Sequence, residues 1–182
     1  LGQRHGVDDL GHLALLKCLH RAGEAVFASG ARQIMVRAKA SEEMRVATWL
    51  MKSEPGAYSW DDLVRDKRTH WDGVRNHQAA NNMKVMRKGD RAFFYHSVTD
   101  KTVVGVMEVV KEYYPDHTDA SGRFGMVDVK ALKPVKQAVS LAEIKAEPRL
   151  ADLALVRQSR LSVVPVSDDH WALLCEMAGI KA

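Results

Sequence analysis

The sequence predicts an α/β fold of the α+β kind, a small mixed β-barrel with short flanking helices and an N-terminal extension. Three observations predict it. Short runs rich in β-branched and aromatic residues recur between Val46 and Val166, and turn residues rather than long crossover helices separate them. Ser59 with Asp62, and Ser140 with Glu143, each place an acid three residues after a serine, which opens a short helix as a capping box. The 182 residues are 46% apolar and 27% charged, enough for one real core and too apolar for global disorder.

The elements follow in order. Residues 1–46 read as an extension. Leu10, Leu13, Leu16 and Leu19 repeat at rough helical spacing over 8–27, and Gly23 and Gly30 break it. Asp8, Asp9, Glu42 and Glu43 argue against a transit peptide, and Lys17 and His20 interrupt the one apolar stretch that could serve as a secretory signal. From residue 47 to 182 the signals sharpen into one domain. Residues 46–52 form a buried strand that Pro55 and Gly56 terminate. Residues 59–66 form a helix capped by Ser59. Residues 71–76 form a loop pivoting on Gly73, and 76–87 a helix with Gly89 as its C-cap. Strands are expected over 91–97, 102–112 and 126–132. The last of these alternates Val127 and Val129 with Asp128 and Lys130, so one face is wet. Gly105 and Gly125 read as bulges. Ser140 opens a further helix, 161–166 is a strand in which Pro165 marks an edge or the end, and Ser167 caps a last helix over 168–178.

Bulk properties bound the function. A net charge of +4 and a pI of about 9.1 permit an anionic partner without demanding one. The two cysteines, Cys18 and Cys175, lie in no CxxC and near no histidine at metal spacing, so neither a disulfide framework nor a zinc site is expected. No apolar run approaches the roughly 20 residues that span a bilayer. A reducing, cytoplasmic setting fits best, with association to a nucleoid open. No GxGxxG, Walker loop, HExxH or GxSxG occurs, so no cofactor, no metal and no catalytic residue is expected.

Four blocks mix aromatic and polar residues at strand ends or loops, where barrels place ligand sites. In the first, Lys52 meets a phosphate, or sits in a solvated pair with Glu54, and Ser53 offers a hydroxyl to a base edge. In the second, Trp71 offers a stacking face, Gly73 lets backbone approach a ligand, and Asn76 either reads a base edge or caps the helix after it. Arg75 pairs with phosphate or locks the loop to Asp72. Gln78, Asn81 and Asn82 share one helix face, at a pocket mouth or in solvent. In the third, period-two alternation sends Phe93, Tyr95 and Ser97 to one side and Phe94 and His96 to the other. Adjacent strand residues cannot form a nucleophile–base relay, so His96 reads as structural. In the fourth, Arg157 and Arg160 lie near a strand start, where one meets a phosphate or they are surface charge, the latter favoured for Arg157.

These blocks, in this order, resemble the EVE domain family of the PUA-like superfamily. The matching text is WLMKSEP at 49–55, SWDDL at 59–63, WDGVRNHQAANNM at 71–83, KGDRAFFYHS at 88–97, YYPDHTD at 113–119, MVDV at 126–129 and RLSVVPV at 160–166. The resemblance covers about residues 47 to 180. It implies a PUA-like barrel related to the YTH and ASCH domains, which hold one nucleotide in a pocket. It also implies a reader of modified bases, with modified cytosine in DNA as the leading ligand. Carried onto this chain, the pocket would use Trp49, Lys52, Ser53, Trp71, Val74, Asn76, Tyr95 and Ser97. Arg75, Gln78 and Arg160 join them as expected contacts. His77 stands where relatives often carry Tyr, and Ala80 where many carry Arg; both differences would weaken backbone contacts without emptying the pocket.

The expected function is therefore a non-catalytic module, acting as a monomer, that holds a modified nucleobase of DNA or RNA. The alternatives are a hydrolase or nuclease acting on a nucleotide derivative on the same barrel, and a small-molecule or protein-interaction module.

Overall fold

The apolar run after residue 46 forms strand β1 (Thr48–Ser53), with Leu50 and Met51 fully buried. It lies between two neighbours: β3 (Arg91–His96), parallel to it, and β6 (Val163–Val166), antiparallel. The sheet continues from β3 through β4 (Thr102–Pro115) and β5 (Gly125–Ser140) to β2 (Arg68–Trp71), all by antiparallel pairing. Its order is β2-β5-β4-β3-β1-β6. The helices are α1 (Trp60–Asp66), α2 (His77–Val85), α3 (Leu141–Ala146), α4 (Ala154–Arg157) and α5 (Asp168–Met177), with a 3-10 turn at Pro148–Leu150. The structure, a computed structural model, describes residues 46–182, which group as one compact unit. The helix expected over 8–27, and Cys18, lie outside the described residues.

The sheet is curled. Strands β2 and β3 are separated by two others, so a flat sheet would hold them about 14 Å apart. Yet the ring of Trp71 at the end of β2 meets that of Phe94 in β3 edge-on, with centroids 5.4 Å apart. Trp60 of α1 packs on the same Phe94 at 5.6 Å. These three rings fill the inside of the curl. Outside it, the next residue of β3, Phe93, stacks on Trp171 of α5 with centroids 4.1 Å apart. The alternation expected for this strand therefore separates an inner from an outer core. Edge strands β2 and β6 share no ladder, so the expected barrel is an open, curled mixed sheet.

Bulges supply the curvature. The β3–β4 register shifts between Phe94 and Tyr95, and the β4–β5 register shifts at four places, one of them between Val103 and Gly105. Gly105 lies opposite Pro134, so the proline that cannot donate to a ladder falls at an irregularity. That is why β5 runs to Ser140 although its sequence reads as a strand only to Leu132. Gly105 serves a second purpose: a Cβ there would lie 2.4 Å from the Trp60 indole.

Local signals set the helix starts. Ser59 and Ser140 both form complete capping boxes, with Asp62 and Glu143, and the Ser167 hydroxyl accepts from His170 N–H. Helix α2 ends earlier than its composition predicts. Met86 is already extended, and Gly89, with φ of 98°, shapes the turn into β3 rather than capping the helix. Strand β6 starts at Val163, because Leu161 N–H turns back to the Gln158 carbonyl. Strand β2 was not expected at all; its sequence Arg68-Thr-His-Trp71 has too little apolar content to announce a strand. Asp128 of β5 holds this edge by accepting from Arg68 and from the Tyr114 hydroxyl.

Buried Asp90 ties its own turn, after α2, to the start of β1. Its carboxylate accepts from Ala47 N–H at 3.0 Å, from the Trp49 indole N–H at 3.1 Å and from Arg87 N–H at 2.9 Å. Cys175 is a buried thiol of α5, and burial pushes its pKa up.

The Gly105–Trp60 contact makes a prediction. Gly105→Ala should lower unfolding stability by about 1–3 kcal/mol, the usual cost of overpacking a filled core. A shift of the urea midpoint without a change in slope would measure it.

Candidate functional site

The ends of β1 and β2, brought together by the curl, leave a cavity of about 670 Å³ between them. Lys52, Ser53 and Glu54 line one side, Thr69 to Asn76 the other, and Ala57, Tyr58 and Ser162 complete it. Trp71 lines the cavity and also packs at a right angle against the Phe94 ring. Val74 adds an apolar surface.

The loop between β2 and α2 is held by a residue forty positions away. Asp116 follows the end of β4, and its side chain is fully buried. One oxygen accepts from Gly73 N–H at 3.0 Å and from the Arg75 guanidinium at 2.7 Å. The other accepts from Thr118 N–H at 2.7 Å and from the Thr118 hydroxyl at 2.6 Å. Arg75 also donates to the Thr118 hydroxyl at 2.8 Å. Burial alone would raise the Asp116 carboxyl; the donors from Thr118, Arg75 and Gly73 outweigh it and hold the group well below the usual carboxylate range. Gly73, with φ of 71°, makes the bend that aims its N–H at Asp116. Thus Arg75 locks the loop through Asp116, not through Asp72.

Other polar groups of the wall are also engaged. The Lys52 ammonium donates to the Ser159 carbonyl at 2.9 Å, and partial burial lowers its pKa. The Ser53 hydroxyl donates to the Tyr58 carbonyl at 2.6 Å. The Asn76 side-chain oxygen accepts from Ala79 N–H at 3.0 Å as the cap of α2, which leaves its amide N–H2 free to turn toward the cavity.

The structure therefore brings six of the expected contacts together around one cavity: Lys52, Ser53, Trp71, Val74, Arg75 and Asn76. The other five lie elsewhere. Trp49 is buried with its indole on Asp90, on the same strand as Lys52 but in the core. Tyr95 is buried, and burial raises its hydroxyl pKa. The Ser97 hydroxyl donates to the Ser53 carbonyl at 3.1 Å, so it braces the cavity wall from behind. Gln78 donates to Gln158 at 3.1 Å, and with Arg160 it lines a separate, shallower depression of about 310 Å³. On the α2 face expected at a pocket mouth, Asn82 donates instead to the Val163 carbonyl at 2.8 Å, tying α2 to β6.

His96 has the structural role expected of it. Its Nε2 accepts from Trp60 N–H at 3.1 Å, so its Nδ1 carries the proton and faces Asp100 at 3.3 Å. Sequence reasoning missed Asp116, and also Tyr58, Thr69 and His70 in the wall. A residue that acts across forty positions leaves no spacing signal. The four polar residues from Asp116 to Asp119 were the one available hint.

A curled mixed sheet with an open cavity at its strand ends makes this a small α+β domain. The chain belongs to the EVE domain family, whose model matches residues 47–177. It is 34% identical to human thymocyte nuclear protein 1 in an alignment 157 positions long that covers 68% of this chain and 70% of that protein. The zebrafish protein of the same name is 36% identical in an alignment 163 positions long that covers 71% of each chain. Among solved structures, a Rhodopseudomonas palustris protein is 56% identical, with a TM-score of 0.70 over 74% of this chain and 94% of that one. Human THYN1, solved in complex with DNA containing 5-methylcytosine, is 32% identical, with a TM-score of 0.69 over 75% of this chain and 99% of that one.

Asp116 generates a prediction with a definite pH sign. Asp116→Asn should destabilise the protein by about 2 kcal/mol at neutral pH, the scale of lost hydrogen bonds to a buried charge. The native carboxyl titrates below its unfolded value, so its contribution is present above about pH 4 and fades as pH falls below that. The difference between wild type and variant should therefore shrink on acidification. A difference that is constant from pH 7 to pH 3 would refute the assignment.

Proposed function

We propose that this protein binds DNA and holds a modified cytosine in the cavity at the ends of β1 and β2, without catalysing a reaction on it. The observation that carries this reading is the cavity itself, with a tryptophan wall, a glycine turn and a cap asparagine at the entry to α2. Trp71 and Val74, which both line the cavity, offer flat and apolar surface to a base and its methyl group. The Asn76 amide and the backbone beside Gly73 supply polar groups for a base edge. Lys52 and Arg75 place positive charge at the same cavity, where a flanking phosphate would lie. A relative of the same family has been captured on 5-methylcytosine DNA, which supports DNA over RNA.

The energetics are consistent. Drawing a base from its stack costs a few kcal/mol. Stacking on an aromatic ring returns about 1–3 kcal/mol, and edge hydrogen bonds add to it. The net charge of +4 fits few phosphate contacts and a modest salt dependence. Gln78 and Arg160, in the adjacent depression with Arg157, extend the polar surface along which a strand would run.

The test is a binding series with short duplexes carrying cytosine, 5-methylcytosine or 5-hydroxymethylcytosine at one position, read by fluorescence anisotropy. A modified duplex should bind at least about tenfold tighter than the unmodified one. Trp71→Ala should weaken it by about 10–100-fold, the range of a lost stack. Trp71→Phe, which keeps a ring and its contact with Phe94, should retain most binding and guards against misfolding. Equal affinity for all duplexes would sink the modified-base reading. Cleavage or chemical change of any duplex would overturn its non-catalytic part.

A further inference from the structure

We propose that His70, Asp72 and His117 form a binding site for a divalent transition ion of the zinc class at the rim of the cavity. One ligand atom from each residue lies within 4.8 Å of the other two. The two imidazole rings meet edge to face with centroids 5.0 Å apart, and His117 Nε2 lies 3.8 Å from an Asp72 oxygen. Two imidazoles and a carboxylate are a donor set suited to Zn²⁺ and its neighbours, and unsuited to Mg²⁺ or Ca²⁺, which take oxygen ligands.

Bonds of about 2.0–2.2 Å in a tetrahedral site put ligand atoms roughly 3.3 Å apart. The observed separations close to that by side-chain rotation alone, because both histidines are exposed and neither ring donates to a described residue at hydrogen-bond distance. The backbones beneath them are fixed. His70 sits in the β2–β5 ladder opposite Asp128. Asp72 precedes Gly73, and His117 follows Asp116, so both are anchored by the Asp116 hydrogen bonds. Ligands on a rigid frame with freely turning side chains are arranged to receive an ion at little cost.

Three protein ligands leave at least one coordination position open. His70 and Asp72 also line the cavity, so an ion held by them would lie beside whatever the cavity holds. An ion there would accept water, a phosphate oxygen or a ring nitrogen of the occupant. This inference stands apart from the proposed DNA reading, since ion binding is measured with no nucleic acid present.

Isothermal titration of Zn²⁺ into the full-length, metal-stripped protein tests it, with Mg²⁺ as the comparison. Wild type should take up one equivalent of Zn²⁺ that His70→Ala and His117→Ala each lose or bind at least about 100-fold more weakly, since even indirect ligand partners cost 10–100-fold. Asp72→Asn should weaken the same equivalent. Thermal melts should be unchanged without metal, as both histidines are on the surface. Absence of Zn²⁺ binding by wild type would overturn the site. So would an equivalent that persists unaltered in either histidine variant, because that ion would sit on other histidines.

Discussion

Asp116 is the constraint on which the functional end of the molecule depends. A carboxylate with no exposure must satisfy both oxygens, and it does so with four donors drawn from two loops. That fixes the bend at Gly73, which in turn sets where Trp71 ends β2 and where Asn76 begins α2. Without it, the segment from Asp72 to Asn76 would be an ordinary mobile loop. With it, the cavity has a rigid wall built from turn residues. The same anchor places Asp72 and His117 beside His70, so the cavity and its histidine rim share one support.

The second determinant is curvature. A flat sheet would leave β1 and β2 far apart, with β5, β4 and β3 between them. Repeated register shifts in β4 and β5, with Gly105 opened for the Trp60 ring, roll the sheet until those strand ends face each other. The interior of the roll is filled by Trp60, Trp71 and Phe94, so one ring serves core and cavity together. Truncating Trp71 therefore touches folding as well as ligand contact, and a ring-preserving variant is needed to separate the two.

Residues that share a motif divide their labour. In the block around β1, Trp49 bonds Asp90 and belongs to the core, while Lys52 and Ser53, three and four residues on, face the cavity. In the block around β3, Phe94 supports Trp71, His96 holds the start of α1, and Ser97 braces the Ser53 carbonyl. A family motif thus marks a neighbourhood whose members are mostly scaffold. The few that reach the cavity are those at strand ends, where the ladder stops and side chains turn outward.

Elements whose causes are local can be read directly along the chain. Ser59, Asn76, Ser140 and Ser167 each bond to a backbone N–H three residues ahead, so spacing alone announces the helices they cap. Apolar and β-branched runs announce β1, β3, β4 and β6 for the same reason, and the ordered motifs point to the family. Folding settles which aromatic faces the cavity, that Arg75 pairs with Asp116 rather than Asp72, and that a polar tetrapeptide becomes the edge strand β2. Those outcomes depend on contacts between residues tens of positions apart. Such contacts are set by register and by the curl of the sheet, and neither leaves a periodic trace along the chain.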